Sequence, residues 1–245
     1  MVLPAKIFEV KEKTDIETLA KTLTGFRREE QYETSSAGTV NLVTQVMDVK
    51  QEAETLQGVF CRDYIGRRFY QRKMTETPIT EEAPFWFKTY KERIFLIVMA
   101  PSVARGVKKL LTGHVANSLS EILFKKIGFI VEARITNETL KELHESNPQA
   151  TKLTWFDDID IPSIEKLCLA GTGLADTGLY RDYLRHGNIW YVVFEVKKRG
   201  ITVGVTRNCV VTLFSKSTVD GFIKYLTEDI LGLIKIEPIP VAIDF

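Results

Sequence analysis

A chain of 245 residues with 33 Lys and Arg against 32 Asp and Glu carries a net charge of +1, which excludes a protein that coats nucleic acid or an anionic membrane by bulk charge. Any such binding must come from a local patch. The 44% hydrophobic and 27% charged residues are those of an ordinary folded protein, long enough to bury a substantial core.

Three widely separated cysteines, Cys61, Cys168 and Cys209, with no Cys-x-x-Cys pair, argue against a disulfide framework and a structural zinc site and suit a cytoplasmic protein. The first eleven residues contain no uninterrupted apolar run of the kind a signal peptide needs. The longest strongly apolar run, 94–100, has the length of a buried strand and falls far short of the roughly 20 residues of a membrane span.

Residues 5–10 alternate as a short strand. Thr14-Asp15-Ile16-Glu17 reads as a capping box with Thr14 as the cap. Ile16, Leu19, Ala20 and Leu23 follow at helical spacing, and Gly25 can close that helix. Residues 27–30 read as a mixed-charge exit and 34–38 as a turn-rich loop. Between 39 and 49, apolar residues fall on both faces of a strand.

Residues 59–73, Val-Phe-Cys-Arg-Asp-Tyr-Ile-Gly-Arg-Arg-Phe-Tyr-Gln-Arg-Lys, hold the one dense interleaving of cations and aromatic rings. Arg62, Arg67, Arg68, Arg72 and Lys73 face a single acid, Asp63, with Tyr64, Phe69 and Tyr70 between them. Guanidinium groups beside flat rings suit phosphates and unstacked bases. Ile65-Gly66 is expected to be the bend of a hairpin with strands 59–64 and 67–73. Period two puts Arg68, Tyr70 and Arg72 on one face and Arg67, Phe69 and Lys73 on the other, so at least one cationic face meets solvent. The same pattern also describes a sheet edge carrying arginine to block edge-to-edge pairing.

Residues 75–84 read as a polar loop with two prolines and three acids, and 85–87 and 94–99 as strands that close a first α+β domain, 1–100. The second domain, 101–245, opens on helical spacing from Val103 to Leu123 with basic residues Arg105, Lys108, Lys109, Lys125 and Lys126, most of which complement helix C-termini. A strand at 129–135, a helix capped by Thr136 or Asn137, a strand at 151–156 and a helix at 177–185 follow. Residues 188–196, 201–206 and 209–214 form a meander whose first turn, Lys197-Lys198-Arg199-Gly200, is basic. A helix capped by Ser217 or Thr218 and an extended apolar tail complete the chain. Helices do not alternate strictly with strands, so the expected class is α+β, with largely antiparallel sheets, packed helices and a C-terminal βββα unit.

Catalytic motifs are sparse. Asp157, Asp158 and Asp160 form an acidic cluster without the further ligands of a calcium loop, which leaves a solvated loop or a partner for a basic patch. Gly171-Thr172-Gly173 lacks the third glycine of a dinucleotide site. Glu195-Val196-Lys197 resembles the Glu-x-Lys fragment of metal-dependent restriction-like nucleases, over these three residues alone. That resemblance implies Glu195 as a metal ligand and Lys197 as orienting the water, and it needs a second carboxylate that the adjoining strands 201–206 and 209–214 do not supply. His114, His144 and His186 stand in separate segments with no zinc spacing.

Basic clusters at 62–73, 105–126 and 197–199 are balanced by acidic stretches at 76–82 and 157–160. Segregated charge in a near-neutral chain suits docking on a defined anionic surface. The expected function is therefore a non-catalytic cytoplasmic binding factor without metal or cofactor. It engages structured RNA, a ribonucleoprotein such as the ribosome, or DNA through Arg62, Tyr64, Arg67, Arg68, Phe69, Tyr70, Arg72 and Lys73, with Lys197, Lys198 and Arg199 as a further basic element, and it does so as a homodimer or larger homo-oligomer. Two other classes stand beside it: a Mg²⁺-dependent nuclease using Glu195 and Lys197, and a protein–protein adaptor or dimerisation module that docks through the apolar tail 238–245.

Overall fold

The computed structural model describes residues 2–34, 38–99, 112–147 and 149–235. Among them lie twelve strands and five α-helices, a mixed α+β fold in which antiparallel strands dominate. Ala5–Val131 cluster into one compact unit, and Glu132 onward, with the first four residues, into a second. No helix among the described residues is long and apolar enough to cross a membrane.

In the first unit, β1 (Leu3–Val10) leads into α1 (Ile16–Leu23), followed by β2 (Arg27–Thr34), β3 (Gly38–Glu52), β4 (Thr55–Tyr70), β5 (Lys73–Tyr90), β6 (Arg93–Met99), α2 (Thr112–Phe124) and β7 (Ile130–Glu132). The strands lie in the order β2-β3-β4-β5-β6-β1. Asp15, rather than Thr14, caps α1: its carboxylate accepts the Thr18 N–H at 2.7 Å, a contact worth about 1 kcal/mol. Ile16, Leu19, Ala20 and Leu23 form the buried stripe of that helix. They pack with Val115, Leu119 and Ile122 of α2 over Val46, Leu56, Phe60, Phe85, Phe87, Leu96 and Val98. Gly58 makes room in this core, since a Cβ there would stand 2.8 Å from the ring of Phe85. Phe60→Ala would leave a cavity costing about 3–5 kcal/mol.

Three local expectations give way to pairing across strands. Residues 27–30 are no exit but the first half of an edge strand, β2, in register with β3 from Arg27↔Gln45 to Thr34↔Gly38. Ile65-Gly66 is no bend: β4 runs through it, and the chain turns at Gln71 and Arg72, whose φ values are 46° and 62°. Residues 75–84 are no loop but the first half of β5, paired with β4 from Tyr70↔Lys73 to Thr55↔Lys88. A strand that buries little needs no apolar alternation, and its partner's N–H and C=O groups hold it instead.

The second unit contains α3 (Asn137–Glu145), β8 (Thr151–Asp157), β9 (Leu167–Ala170), α4 (Gly178–His186), β10 (Asn188–Val196), β11 (Ile201–Thr206), β12 (Val210–Leu213) and α5 (Val219–Tyr225). Its strand order is β12-β11-β10-β8-β9. Thr136 caps α3 and Thr218 caps α5, each hydroxyl taking a backbone N–H three residues on. Residues 129–135 contribute only the short β7. Arg105, Lys108 and Lys109, and the tail 238–245, lie outside the described residues.

His144 on α3 is fully buried, edge-on to Tyr180 with ring centroids 4.7 Å apart, and neither ring nitrogen has a hydrogen-bond partner among the described residues. Burial disfavours its charged form and holds its pKa below the usual value. As the pH falls through about 6.5, the unfolded chain takes up this proton first. The folded state is therefore at full stability above that pH and loses stability as pH drops toward the lowered folded value. Urea melts at pH 7 and pH 5 should show His144→Phe losing less stability than the wild type on acidification; an equal loss would show that His144 does not drive it.

Candidate nucleic-acid interface

The pairing of β3 with β4 ends at Thr44↔Arg62, whereas β4 and β5 stay paired out to Tyr70↔Lys73. Residues 63–70 and 73–80 thus continue as a two-stranded ribbon, eight residues at about 3.4 Å each, or about 27 Å. Asp63 marks the branch, its carboxylate accepting the Val43 N–H at 2.9 Å and the Thr80 hydroxyl at 2.6 Å. Gly66 sits mid-strand because Ile79 lies across it: a Cβ on Gly66 would stand 2.2 Å from Ile79 Cδ1.

Because the supposed acidic loop is in fact the partner strand, its carboxylates fall beside the arginines. Arg62 stands opposite Glu81 and Arg67 opposite Glu76. Arg67 Nε donates to Glu76 Oε1 at 3.0 Å, the Glu76 side chain being only 8% exposed. Arg62 Nη1 donates to Nε2 of His114 on α2. The Tyr64 hydroxyl donates to Glu81 at 2.8 Å, and burial together with this carboxylate pushes the Tyr64 phenol up to about 12. Arg62 and Tyr64 are therefore turned to internal contacts, and Arg67 braces the ribbon.

What remains is concentrated at the turn. Arg68, Arg72 and Lys73 are exposed and have no ion-pair partner among the described residues, and Phe69 and Met74, opposite each other, are 71% and 55% exposed. Of Tyr70 only the backbone is described. Residues 67–74 contain four cations and no acid. Met74 was not singled out from sequence; its role is visible only once the turn is placed at 71–72.

The basic turn Lys197–Arg199 belongs to the second unit. Arg199 is engaged there: its Nη2 reaches Glu228 and Asp229, both at 2.6 Å, and its guanidinium carbon lies 5.6 Å from the centroid of the Tyr225 ring. Lys197 and Lys198 are exposed. Glu195 lies on β10 opposite Thr202 and pairs with Lys152 at 3.7 Å, while Lys197 falls past the strand's end in a tight helical turn. Among the described residues no group of three His, Cys, Asp or Glu side chains is placed to hold a metal ion. In the acidic stretch, Arg207 donates to Asp157 at 2.6 Å and to Asp158 at 3.2 Å, and Asp160 meets His186 Nδ1 at 2.8 Å.

Comparison with protein-family models gives no match, and neither does comparison with curated protein sequences.

Gly66→Val tests the ribbon directly. The added side chain displaces Ile79, and exchange of the backbone amides at 64–70 should accelerate while those at 56–62 keep their protection, because only the latter lie between two paired strands over a core. Unchanged exchange at 64–70 would show that the Gly66–Ile79 contact does not hold the ribbon.

Proposed function

We propose that the protein is a non-catalytic cytoplasmic binding factor that docks on nucleic acid, RNA above all, through the tip of the β4–β5 ribbon. The observation that carries this reading is the tip itself: four cations and no acid in residues 67–74, with Phe69 71% exposed among them. Arg68 and Arg72 can each grip a phosphate through two N–H groups, and Lys73 adds a point charge. Phe69 offers a ring face to a base, which favours single-stranded or looped RNA, whose bases are open to stacking, over a duplex. The rest of the chain carries 29 Lys and Arg against 32 Asp and Glu, so contact is confined to a few named residues. Lys197 and Lys198 belong to the reading as further phosphate contacts, whereas Arg199 and Arg67 serve internal pairs.

The test is a variant with Arg68, Arg72 and Lys73 all changed to Ala, Arg67 being kept so that Glu76 is not stranded. Fluorescence anisotropy with a labelled single-stranded RNA should show log K falling with log salt for the wild type. The variant's slope should be shallower by about 2, from about 0.7 per phosphate contact on single strands. Phe69→Ala should weaken binding by about 1–3 kcal/mol at every salt concentration and leave the slope unchanged. A wild type indifferent to RNA and DNA at low salt, or a triple variant with an unaltered slope, defeats the proposal.

A further inference from the structure

A cavity of about 450 Å³ opens in the second unit beside the first turn of α3, β10 and the turn between β11 and β12, a size usual for small-molecule sites. Much of its wall is fixed by internal bonds. Arg207 is forked onto Asp157 and Asp158, and its carbonyl takes the Ile135 N–H at 2.8 Å. Asn137 Oδ1 accepts the Ile189 N–H at 2.7 Å, and Asn137 Nδ2 donates to Asn188 at 3.1 Å. Glu132, also in the lining, is engaged in an interaction of its own.

Three lining groups keep donors without a partner among the described residues. They are the guanidinium of Arg134, the indole N–H of Trp190 and the amide nitrogen of Asn208, whose Oδ1 is already held by the Thr206 hydroxyl at 2.6 Å. The Trp190 ring also carries the Lys166 ammonium 4.8 Å from its centroid. The two arginines and two acids of the lining cancel in number, but Asp157 is tied to Arg207 and Glu132 has an interaction of its own, which leaves Arg134 as the lining charge with no ion-pair partner among the described residues. A rigid wall that offers donors selects a ligand rich in acceptors and negatively charged, and an indole selects a flat one.

We propose that this cavity binds a small anion carrying a flat ring, of the nucleoside monophosphate class. Arg134 takes the phosphate, the Asn208 amide a ring or sugar acceptor, and Trp190 packs on the base. The site is independent of the ribbon tip, and its test uses neither long RNA nor salt slopes.

Calorimetry on the full chain uses AMP as probe, with inorganic phosphate and adenosine as its two halves. AMP should bind with a Kd below about 1 mM, more tightly than either half, and Arg134→Gln and Asn208→Asp should each raise that Kd about tenfold or more. Arg134 is exposed, so its replacement leaves the melting temperature unchanged. Asn208→Asp keeps the oxygen that holds Thr206 and sets a carboxylate where the amide stood, opposing an anion without dismantling the turn. No binding at about 5 mM AMP, or affinity that survives both changes in folded protein, overturns the site. Phosphate or adenosine binding as tightly as AMP overturns the ligand class.

Discussion

A single carboxylate, that of Asp63, decides where the meander stops being a sheet and becomes a ribbon. By taking the Val43 N–H and the Thr80 hydroxyl, it occupies the donor that β3 would otherwise offer further along the ladder. A short acidic side chain competes well with backbone carbonyls for such a donor. On one side of this point the strands cover Phe60, Phe85 and Phe87. On the other, the ladder of β4 and β5 has no third strand among the described residues, and the Arg67 side chain reaches Tyr32 of β2. A two-stranded hairpin is marginal in water when it stands alone, so its persistence here depends on continuing a ladder that is already anchored.

That branching also sorts the charges. Short of the tip, the arginines of β4 meet an acceptor from α2 or an acid of β5, as with Arg62 and His114 or Arg67 and Glu76. Such cross-strand pairs contribute about 0.2–1 kcal/mol each, too little to explain the fold. Their larger effect is to neutralise the ribbon's length and leave its positive charge at the turn. A sequence that is nearly neutral in total thus presents a compact cationic end, built from Arg68, Arg72 and Lys73 around Phe69.

Much of the fold is written locally. The strand at 94–99 is apolar throughout and buried throughout, the helix stripe from Ile16 to Leu23 is the one that packs, and the meander at 188–213 follows its alternation and turn residues. The ribbon is not written that way. Gly66 looks like a turn residue, yet it is present because Ile79, thirteen positions on, needs the space. Gln71 and Arg72 look like strand residues, yet they adopt left-handed backbone to turn the chain. Acidic, proline-containing residues 75–84 have no apolar period and become a strand through pairing alone. For the candidate interface, composition singled out residues 59–73, while the division between bracing and free arginines required the register. The cavity was not legible at all, because Arg134, Trp190 and Asn208 are brought together by three separate elements.

The β4–β5 ladder has one further property. It is unbroken over sixteen register pairs, from Tyr70↔Lys73 at the tip to Thr55↔Lys88, and it passes through Phe60, Phe85 and Phe87, none of which has measurable exposure. A pull on the turn is therefore delivered along two continuous backbones into the most tightly packed part of the unit. The tip is thermodynamically thin but mechanically well rooted, so a partner gripping it would tow the whole unit, and the hairpin would not simply peel away.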